Sequence, residues 1–175
     1  MKKLKLEELG RVSVEAFKGI EKLPVSIVLD NVRSLHNVGS AFRTADAFRA
    51  EKIYLTGITG TPPNREIHKT ALGATESVAW SYAKSTATVL RELKQQGYHI
   101  VVVEQTSRSA KLHEFELARE AKYCLVFGNE VYGVSEEAIG LADAAVEIPQ
   151  EGTKHSLNIS VCVGIVMWEL YRQLK

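Results

Sequence analysis

The sequence predicts an α/β domain with a mainly parallel sheet and helices on both faces. Short runs of apolar and β-branched residues alternate with amphipathic helical segments, which is the pattern of this fold class. Hydrophobic residues make up 45% and charged residues 25% of the chain, which disfavours a disordered or fibrous protein. A length of 175 residues suits one buried core, so we expect a single domain over residues 1–175.

The elements follow in order along the chain. Residues 1–22 are predicted to form an N-terminal helical arm containing LEELGRVSVEAF. Five runs typical of buried parallel strands cover residues 25–30, 52–55, 99–104, 123–127 and 144–148. Three helices are predicted over residues 38–49, 86–96 and 135–141. The first has an apolar face made of Val38, Ala41, Phe42, Ala45 and Phe48.

Two further segments are unusual. Residues 57–78 are predicted to be an irregular, substrate-facing loop with a short helix after Lys69. The final stretch, residues 157–174, reads as a helix that is apolar on nearly all sides. A terminal helix with only one face on a sheet should have a polar stripe, so we expect this helix to pack against a second copy in a homodimer.

The composition excludes several classes of protein. A net charge of +1 gives no global basic field, although a local basic patch could still serve a nucleic acid. Cys124 and Cys162 lie in apolar runs, where buried thiols are expected rather than a disulfide or metal ligands. The five histidines show no metal-ligand spacing, so no metal is expected. No secretory segment or membrane span is recognisable, which favours a cytoplasmic protein.

Polar loops follow three of the predicted strands. They are DNVRSLHNVGSAFRTADAF, GNEVYGVS and PQEGTKHSLNIS. Ligands of open parallel sheets bind at the carboxyl ends of the strands, and these loops combine glycine with side chains that can hold or polarise a substrate. The usual dinucleotide, NTP and hydrolase motifs G-x-G-x-x-G, G-x-x-x-x-G-K-[ST] and G-x-S-x-G are absent. The pattern therefore predicts a site of another kind.

Each polar residue of these loops also has a purely structural interpretation. Asn37 can cap the following helix, and Arg43 can extend over the sheet edge. Glu130 can be an exposed loop acid and Gly133 a turn residue. Ser156 and Asn158 can cap the terminal helix.

Three stretches in these loops have a characteristic order and spacing: NVGSAFRTA at 37–45, FGNEVYG at 127–133, and IPQEGTKHSLNIS at 148–160. They resemble motifs 1, 2 and 3 of the SpoU/TrmH branch of the SPOUT RNA methyltransferases. The resemblance extends from about residue 25 to the last residue. Gln150 and Glu151 depart from it, because family members often have apolar residues at these positions.

The resemblance implies a fold, a cofactor and a reaction. Members of the family transfer a methyl group from S-adenosylmethionine to a ribose 2′-hydroxyl of tRNA or rRNA. Their sheet ends in a deep trefoil knot that holds the cofactor, and they act as dimers. The cofactor-binding positions carry over as Thr106, Gly128, Ile148, Ser156 and Leu157, with Ile148 and Leu157 enclosing the adenine.

The catalytic positions of the family carry over as Asn37, Arg43, Glu130, Ser156 and Asn158. A guanidinium is a poor base at neutral pH, so two roles for Arg43 stay open. It loses its proton transiently and activates the hydroxyl, or it clamps a neighbouring RNA phosphate and stabilises the developing alkoxide. We expect the second role, with Glu130 and Asn37 orienting Arg43.

RNA contacts are expected from cations on or near the loops, and the candidates are Arg33, Arg49, Arg65, Lys69 and Lys154. No added N-terminal RNA-binding domain of the kind found in some rRNA-modifying relatives is recognisable, which favours tRNA over rRNA. Two other classes remain as alternatives. One is a catalytically silent RNA-binding dimer, and the other is a generic small-molecule binding domain, which does not explain the three loops.

Overall fold

The computed structural model of the chain describes residues 1–10 and 12–175, and its centre is a seven-stranded parallel sheet. The strands are β1 (Leu23–Asp30), β2 (Ala50–Thr56), β3 (Trp80–Ala83), β4 (Tyr98–Val103), β5 (Ala110–Lys111), β6 (Lys122–Phe127) and β7 (Ala144–Glu147). Their order across the sheet is β3-β2-β1-β6-β4-β7-β5, and every neighbouring pair is parallel. The predicted mainly parallel α/β class is therefore confirmed.

Seven α-helices and two short 3-10 helices accompany the sheet in the described residues. The α-helices are α1 (Val14–Gly19), α2 (Leu35–Ala47), α3 (Arg65–Ala71), α4 (Ala74–Ser77), α5 (Thr86–Gln95), α6 (Glu136–Leu141) and α7 (Ile159–Leu174). The 3-10 helices cover Leu6–Leu9 and Leu112–Glu114. The N-terminal 22 residues thus hold two short helical pieces before β1 begins.

Alternate residues of the central strands face two separate cores, as the two-residue period of a strand requires. On one face, Ile27 and Leu29 of β1 pack with residues of α2, α3, α4 and α7. On the other face, Val28 of β1 packs with residues of α5 and α6. Helices therefore cover both faces, which explains why the five predicted strands are nearly continuous apolar runs.

Two strands were not predicted from the sequence. The strand β3, with sequence WSYA, lies at the edge of the sheet, and its residues are only partly buried or exposed. The strand β5 has two residues and pairs only with β7. Edge strands bury little side chain, so neither segment has the apolar run on which the prediction depends.

The segment 57–78 is more regular than predicted. Helix α3 begins at Arg65, four residues before Lys69, because the Asn64 side chain accepts a hydrogen bond from the Glu66 backbone N–H. Helix α4 follows directly. Gly39 allows α2 to lie close to α3, since a methyl group at its Cα would overlap the Thr70 hydroxyl and the Ile67 carbonyl.

The last helix, α7, is buried along one side only. Ile159, Val163, Val166, Met167 and Leu170 contact the core between α2 and the sheet. The opposite side leaves large apolar side chains in solvent, and these are Val161, Ile165 and Trp168. Both cysteines are free thiols. Cys124 is buried, as predicted, whereas Cys162 is only partly buried, and burial raises the pKa of both.

Candidate active site

The three polar loops meet at one end of the sheet, where the strands have their carboxyl ends. They follow β1, β6 and β7, and the strand β4 lies between β6 and β7 in the sheet. Because neighbouring parallel strands have their carboxyl ends on the same side, the loops after all four strands are neighbours. The sequence placed the motif segments 37–45, 127–133 and 148–160 far apart, and the strand order brings them together.

Glu130 connects the loop after β6 to the beginning of α2. Its carboxylate accepts hydrogen bonds of 2.9 Å from the backbone N–H groups of Arg33 and Ser34. A third bond of 2.9 Å comes from Nδ2 of Asn37. Two of the predicted catalytic residues, Glu130 and Asn37, are therefore in direct contact. Glu130 is an exposed loop acid, as the structural alternative proposed, but it also joins this loop to α2.

The structural interpretation of Asn37 as a helix cap is wrong. Ser34 caps α2, because its hydroxyl accepts a hydrogen bond from the backbone N–H of Asn37. The Asn37 side chain is thus free to bind Glu130. Only 9% of Asn37 is exposed, so the hydrogen bond to Glu130 satisfies a buried polar side chain.

Glu130 stays ionised to a lower pH than an ordinary glutamate. Partial burial opposes the charged form, but the hydrogen bonds from Arg33, Ser34 and Asn37 outweigh it and lower the pKa of Glu130 below 4.5. The carboxylate also lies at the N-terminus of α2, where the helix dipole favours negative charge. The charge of Glu130 therefore stabilises the folded chain.

The Glu130→Gln variant should unfold more easily than the wild type at pH 7, by about 1 kcal/mol after allowance for solvent screening. A group with a lowered pKa contributes its full stability above its unfolded pKa and loses it as the pH falls through the folded value. The difference should therefore be constant above pH 4.5 and shrink below it. Urea denaturation of both proteins at pH 7 and pH 3.5 measures this, and an equal difference at both values would contradict the role of the charge.

The loop after β6 is held in one conformation by its own backbone. Asn129 and Gly133 form two backbone hydrogen bonds of 2.9 Å, and Gly133 has a φ of 70°, which favours glycine. The Asn129 side chain donates a 2.7 Å hydrogen bond to the carbonyl of Asn31 after β1. Gly128 has no room for a side chain, since a methyl group would overlap the backbone of Gly133 and Val134.

A cavity of about 630 Å³ lies between the loops after β4, β6 and β7. Six of the residues predicted to be functional line it, and these are Gly128, Glu130, Ile148, Ser156, Leu157 and Asn158. Ile148 and Leu157 give apolar surface, and the motif residues supply polar groups. A cavity of this size and mixed lining is typical of a small-molecule site, and we call it the cofactor cavity below.

Two residues that the sequence analysis missed build the wall of this cavity after β4. The Glu104 carboxylate accepts hydrogen bonds from the N–H groups of Val134, at 3.0 Å, and Gln105, at 2.9 Å. The Gln105 side chain donates a 2.9 Å hydrogen bond to the carbonyl of His155. Their position directly after a buried strand was the available signal. Thr106, which was predicted instead, does not line the cavity.

Ser156 and Asn158 stand at the exposed end of the loop after β7. Asn158 caps α7, as the structural alternative proposed, by accepting a 2.8 Å hydrogen bond from the Ser160 N–H. The cap uses only the Oδ1 atom, which leaves the Nδ2 group without a partner among the described residues. The Ser156 side chain likewise has no such partner. Both retain hydrogen-bonding capacity for a ligand.

Arg43 does not lie where the sequence analysis expected. It is exposed on α2, makes no hydrogen bond or salt bridge with its side chain to any described residue, and does not line the cavity. The Glu130 carboxylate contacts Asn37 and two backbone N–H groups instead, so the expected orientation of Arg43 by Glu130 and Asn37 is not present in this chain.

The five candidate RNA contacts are spread over the surface, and all are exposed. Arg33 and Lys154 lie in the loops after β1 and β7. Arg65 and Lys69 are on α3, where Lys69 pairs with Glu66 at 2.7 Å. Arg49 is in the turn between α2 and β2, at the amino ends of the strands, where its carbonyl accepts a hydrogen bond from the Leu23 N–H.

Two negative observations apply to the part of the chain that the structure describes. No group of three or more His, Cys, Asp or Glu side chains is placed to hold a metal ion. No described helix combines the length and the apolar character needed to cross a lipid bilayer.

Comparison with known proteins agrees with this geometry. The chain is 33% identical over 159 residues to the 23S rRNA (guanosine-2′-O-)-methyltransferase RlmB of Ralstonia nicotianae, covering 91% of this chain but only 63% of that relative. It is 30% identical to the tRNA (guanosine(18)-2′-O)-methyltransferase of Thermus thermophilus, covering 85% of this chain and 75% of the relative.

Solved structures show the same fold. The TrmH/SpoU tRNA modifying enzyme of A. aeolicus superposes with a TM-score of 0.81 at 28% identity, over 91% of this chain and 81% of that one. An AdoMet-bound rRNA methyltransferase from Sinorhizobium meliloti gives 0.80 at 28% identity, over 91% and 60%. A structure concerning 2-OH methylation of C/U34 on tRNA gives 0.75 at 27% identity, over 87% and 98%.

A family model matches most of the chain, from residue 24 to residue 168. This range contains all three motif segments and every residue that lines the cofactor cavity. The chain belongs to the SpoU rRNA Methylase family.

Proposed function

We propose that this chain is an S-adenosylmethionine-dependent methyltransferase that modifies a ribose 2′-hydroxyl of structured RNA. The observation that carries the proposal is the cofactor cavity, because the motif loops after β6 and β7 both line it and Glu130 joins the first of them to the motif segment after β1. Relatives named as guanosine 2′-O-methyltransferases support the reaction. One domain with an N-terminal arm at residues 1–22, working in the cytoplasm, completes the proposal.

The residues around the cavity fit S-adenosylmethionine. Ile148 and Leu157 supply apolar surface for the flat adenine, and Gly128 lets the backbone of Gly133 and Val134 pack closely against it in the cavity wall. The carboxylates of Glu104 and Glu130 line the same cavity, which suits a ligand that carries positive charge. When bound, the cofactor supplies an activated methyl group on a sulfonium, which is a good leaving group. An AdoMet-bound relative of similar fold supports this assignment.

The protein residues position the RNA and manage the charge of the reacting hydroxyl. Positioning alone supplies much of the acceleration in a displacement reaction. The free guanidinium of Arg43 can clamp an RNA phosphate and stabilise the developing alkoxide, whereas a guanidinium is a poor base at neutral pH. The free Nδ2 of Asn158 and the Ser156 hydroxyl can orient the ribose. Arg43 does not line the cavity, so it acts there only when RNA or a second copy of the chain brings the two together.

We propose tRNA before rRNA as the substrate. The structure concerned with tRNA position 34 is covered over 98% of its length, so a relative of about this size is associated with tRNA. The chain spans 63% of the R. nicotianae relative that is named for 23S rRNA. Both substrate classes belong in the test.

The trefoil knot is also part of the proposal. The segment between β4 and β6 contacts the C-terminal segment on two sides, which supports a threaded chain. Gln105 binds the His155 carbonyl before α7, and the Leu117 N–H donates a 3.0 Å hydrogen bond to Gln173 near the end of α7. The Gln173 side chain donates a 2.9 Å hydrogen bond to the Phe115 carbonyl.

We propose that two copies associate through the exposed side of α7. Val161, Ile165 and Trp168 are 47%, 37% and 54% exposed, and Trp168 lies against Phe48 and Tyr171 with ring centroids 6.1 and 6.0 Å apart. An exposed apolar patch of this kind is typical of a subunit interface. Arg43 lies on α2, which packs beside α7, so a dimer would place it near the second copy.

The Trp168→Glu variant should be a monomer of 19.4 kDa at micromolar concentration, because a buried unpaired charge costs several kcal/mol at an interface. The wild type should have twice this mass in analytical ultracentrifugation. Trp168→Tyr, which keeps an aromatic ring, should remain a dimer. A monomeric wild type, or a dimeric Trp168→Glu variant, would remove α7 as the interface.

The transfer of labelled methyl groups from S-adenosylmethionine to unmodified tRNA and rRNA pools tests the proposed function. We expect label in a 2′-O-methylnucleoside from the tRNA pool. Label on a base would contradict the reaction, and label only in rRNA would contradict the substrate preference. An unlabelled RNA that still binds tightly, with steep salt dependence, would identify a silent RNA-binding protein.

A further inference from the structure

A second cavity, of about 550 Å³, lies at the carboxyl ends of the strands, like the cofactor cavity. The loop after β6 forms a wall of both cavities through Asn129, Tyr132, Gly133, Val134 and Glu136. The other wall of the second cavity comes from the residues that follow β1 and β2, including Arg33 and Ile58. A molecule bound in the second cavity would therefore lie next to the substrate that reacts at the cofactor cavity.

Two large side chains of the second cavity are unusually exposed. Tyr132 is 86% and Ile58 is 66% exposed, and both line the cavity. A flat apolar group can be held between an aromatic ring and an aliphatic side chain. Nucleobases that leave a helix are bound in this way, by stacking on exposed aromatic rings.

The walls of this cavity are already fixed without a ligand. The Asn31 side chain donates a 2.8 Å hydrogen bond to Asp30 and accepts a 3.2 Å bond from the Ile58 N–H. The Asn31 carbonyl accepts the 2.7 Å bond from Asn129, which joins the two walls. A preformed site binds without the cost of ordering its walls.

The charges of the second cavity suit one phosphate. Arg33 is its single Lys or Arg residue among the described lining, and the guanidinium has no hydrogen bond or salt bridge to any described residue. The carboxylate of Asp30 is 1% exposed and already accepts bonds from Asn31, Thr86 and Ser135. Glu136 places negative charge at the opposite wall, which directs an RNA phosphate towards Arg33.

We propose that the second cavity binds the nucleotide adjacent to the methylated one, with its base stacked on Tyr132 and Ile58 and its phosphate on Arg33. The proposal rests on the proposed function, because it names a subsite for the RNA of that reaction. It gives the exposed tyrosine in the FGNEVYG motif, which lines both cavities, a role in RNA binding. Stacking reads the flat face of a base, so this subsite should accept several bases.

The first test measures methylation kinetics with the RNA that accepts label. Tyr132→Ala should lower kcat/KM for RNA by roughly 5- to 100-fold, and Tyr132→Phe, which keeps the ring, should restore it. Ile58→Ala should lower it by a smaller factor with unchanged affinity for S-adenosylmethionine. Leu72→Ala is the matched control, because Leu72 is also 66% exposed and lines neither cavity. Wild-type kinetics in Tyr132→Ala and Ile58→Ala would overturn the proposal.

The second test does not depend on methyl transfer. A single-stranded RNA hexanucleotide with 2-aminopurine at its centre should lose fluorescence on binding the wild type and Tyr132→Phe, but not Tyr132→Ala. Quenching without methylation of any RNA would keep the stacking site and remove the proposed activity. Methylation without quenching would keep the proposed activity and remove the stacking site. Dissociation of a wild-type dimer by Ile58→Ala or Tyr132→Ala would assign this surface to the subunit interface and overturn the proposal.

Discussion

Replacing Arg43 with alanine should slow methyl transfer to RNA by about 100- to 1,000-fold, the usual effect of removing one group that stabilises developing negative charge. Binding of S-adenosylmethionine should be unchanged, because Arg43 does not line the cofactor cavity. The folded state should also be unaffected, since the side chain is exposed and contacts no described polar group. Single-turnover kinetics with labelled cofactor, together with calorimetry for cofactor binding, measure both quantities.

Two further variants sharpen this experiment. Arg43→Lys keeps the charge but loses the two-pronged geometry of a guanidinium, so its rate should lie between the wild type and Arg43→Ala. Arg119→Ala removes another exposed arginine, from the segment before β6 at the opposite end of the strands, and should retain wild-type kinetics. Normal turnover by Arg43→Ala would contradict both roles considered for this residue.

RNA affinity distinguishes the two roles of Arg43. A phosphate clamp contributes to binding, so Arg43→Ala should also weaken the RNA complex and reduce its salt dependence by about one ion. A residue that acts only as a transient base contributes to the rate and leaves RNA affinity unchanged. Filter binding of the RNA substrate over a range of salt concentrations separates these outcomes.

Replacing Gly128 with alanine should lower the free energy of unfolding by about 1–3 kcal/mol and abolish cofactor binding. A methyl group there would overlap backbone atoms of Gly133 and Val134, and a backbone cannot rotate away as a side chain can. The loop must then move, and it carries Glu130 and one wall of both cavities. Urea denaturation and cofactor calorimetry on the same preparation measure the two effects.

Gly140→Ala is the matched control for this substitution. Gly140 lies in α6, and nothing within 4 Å would meet an added methyl group. Alanine is the better helix former, so this variant should be as stable as the wild type or up to about 1 kcal/mol more stable. Unchanged cofactor binding by Gly128→Ala would show that the close approach of the two backbones is not required.

The sequence predicted the strands that are buried on both faces. All five apolar runs are strands, since a strand buried on both faces must be apolar throughout its length. Edge strands have no such requirement, which is why β3 and β5 escaped detection. The helix caps depended on single side chains, so the choice of Ser34 over Asn37 as the cap of α2 needed the three-dimensional structure.

The sequence by itself determined which loops are rich in residues that can bind a ligand, because glycine, asparagine and charged residues after apolar strands are visible in the order of residues alone. The tertiary structure decided their contacts. Glu130 is 93 residues from Asn37, and only the order of the strands makes them partners. The same order adds Glu104 and Gln105, which follow β4, to the cavity. Residue types are a local property, whereas the choice of partner depends on which strands pair, and pairing is decided by the burial of the whole sheet.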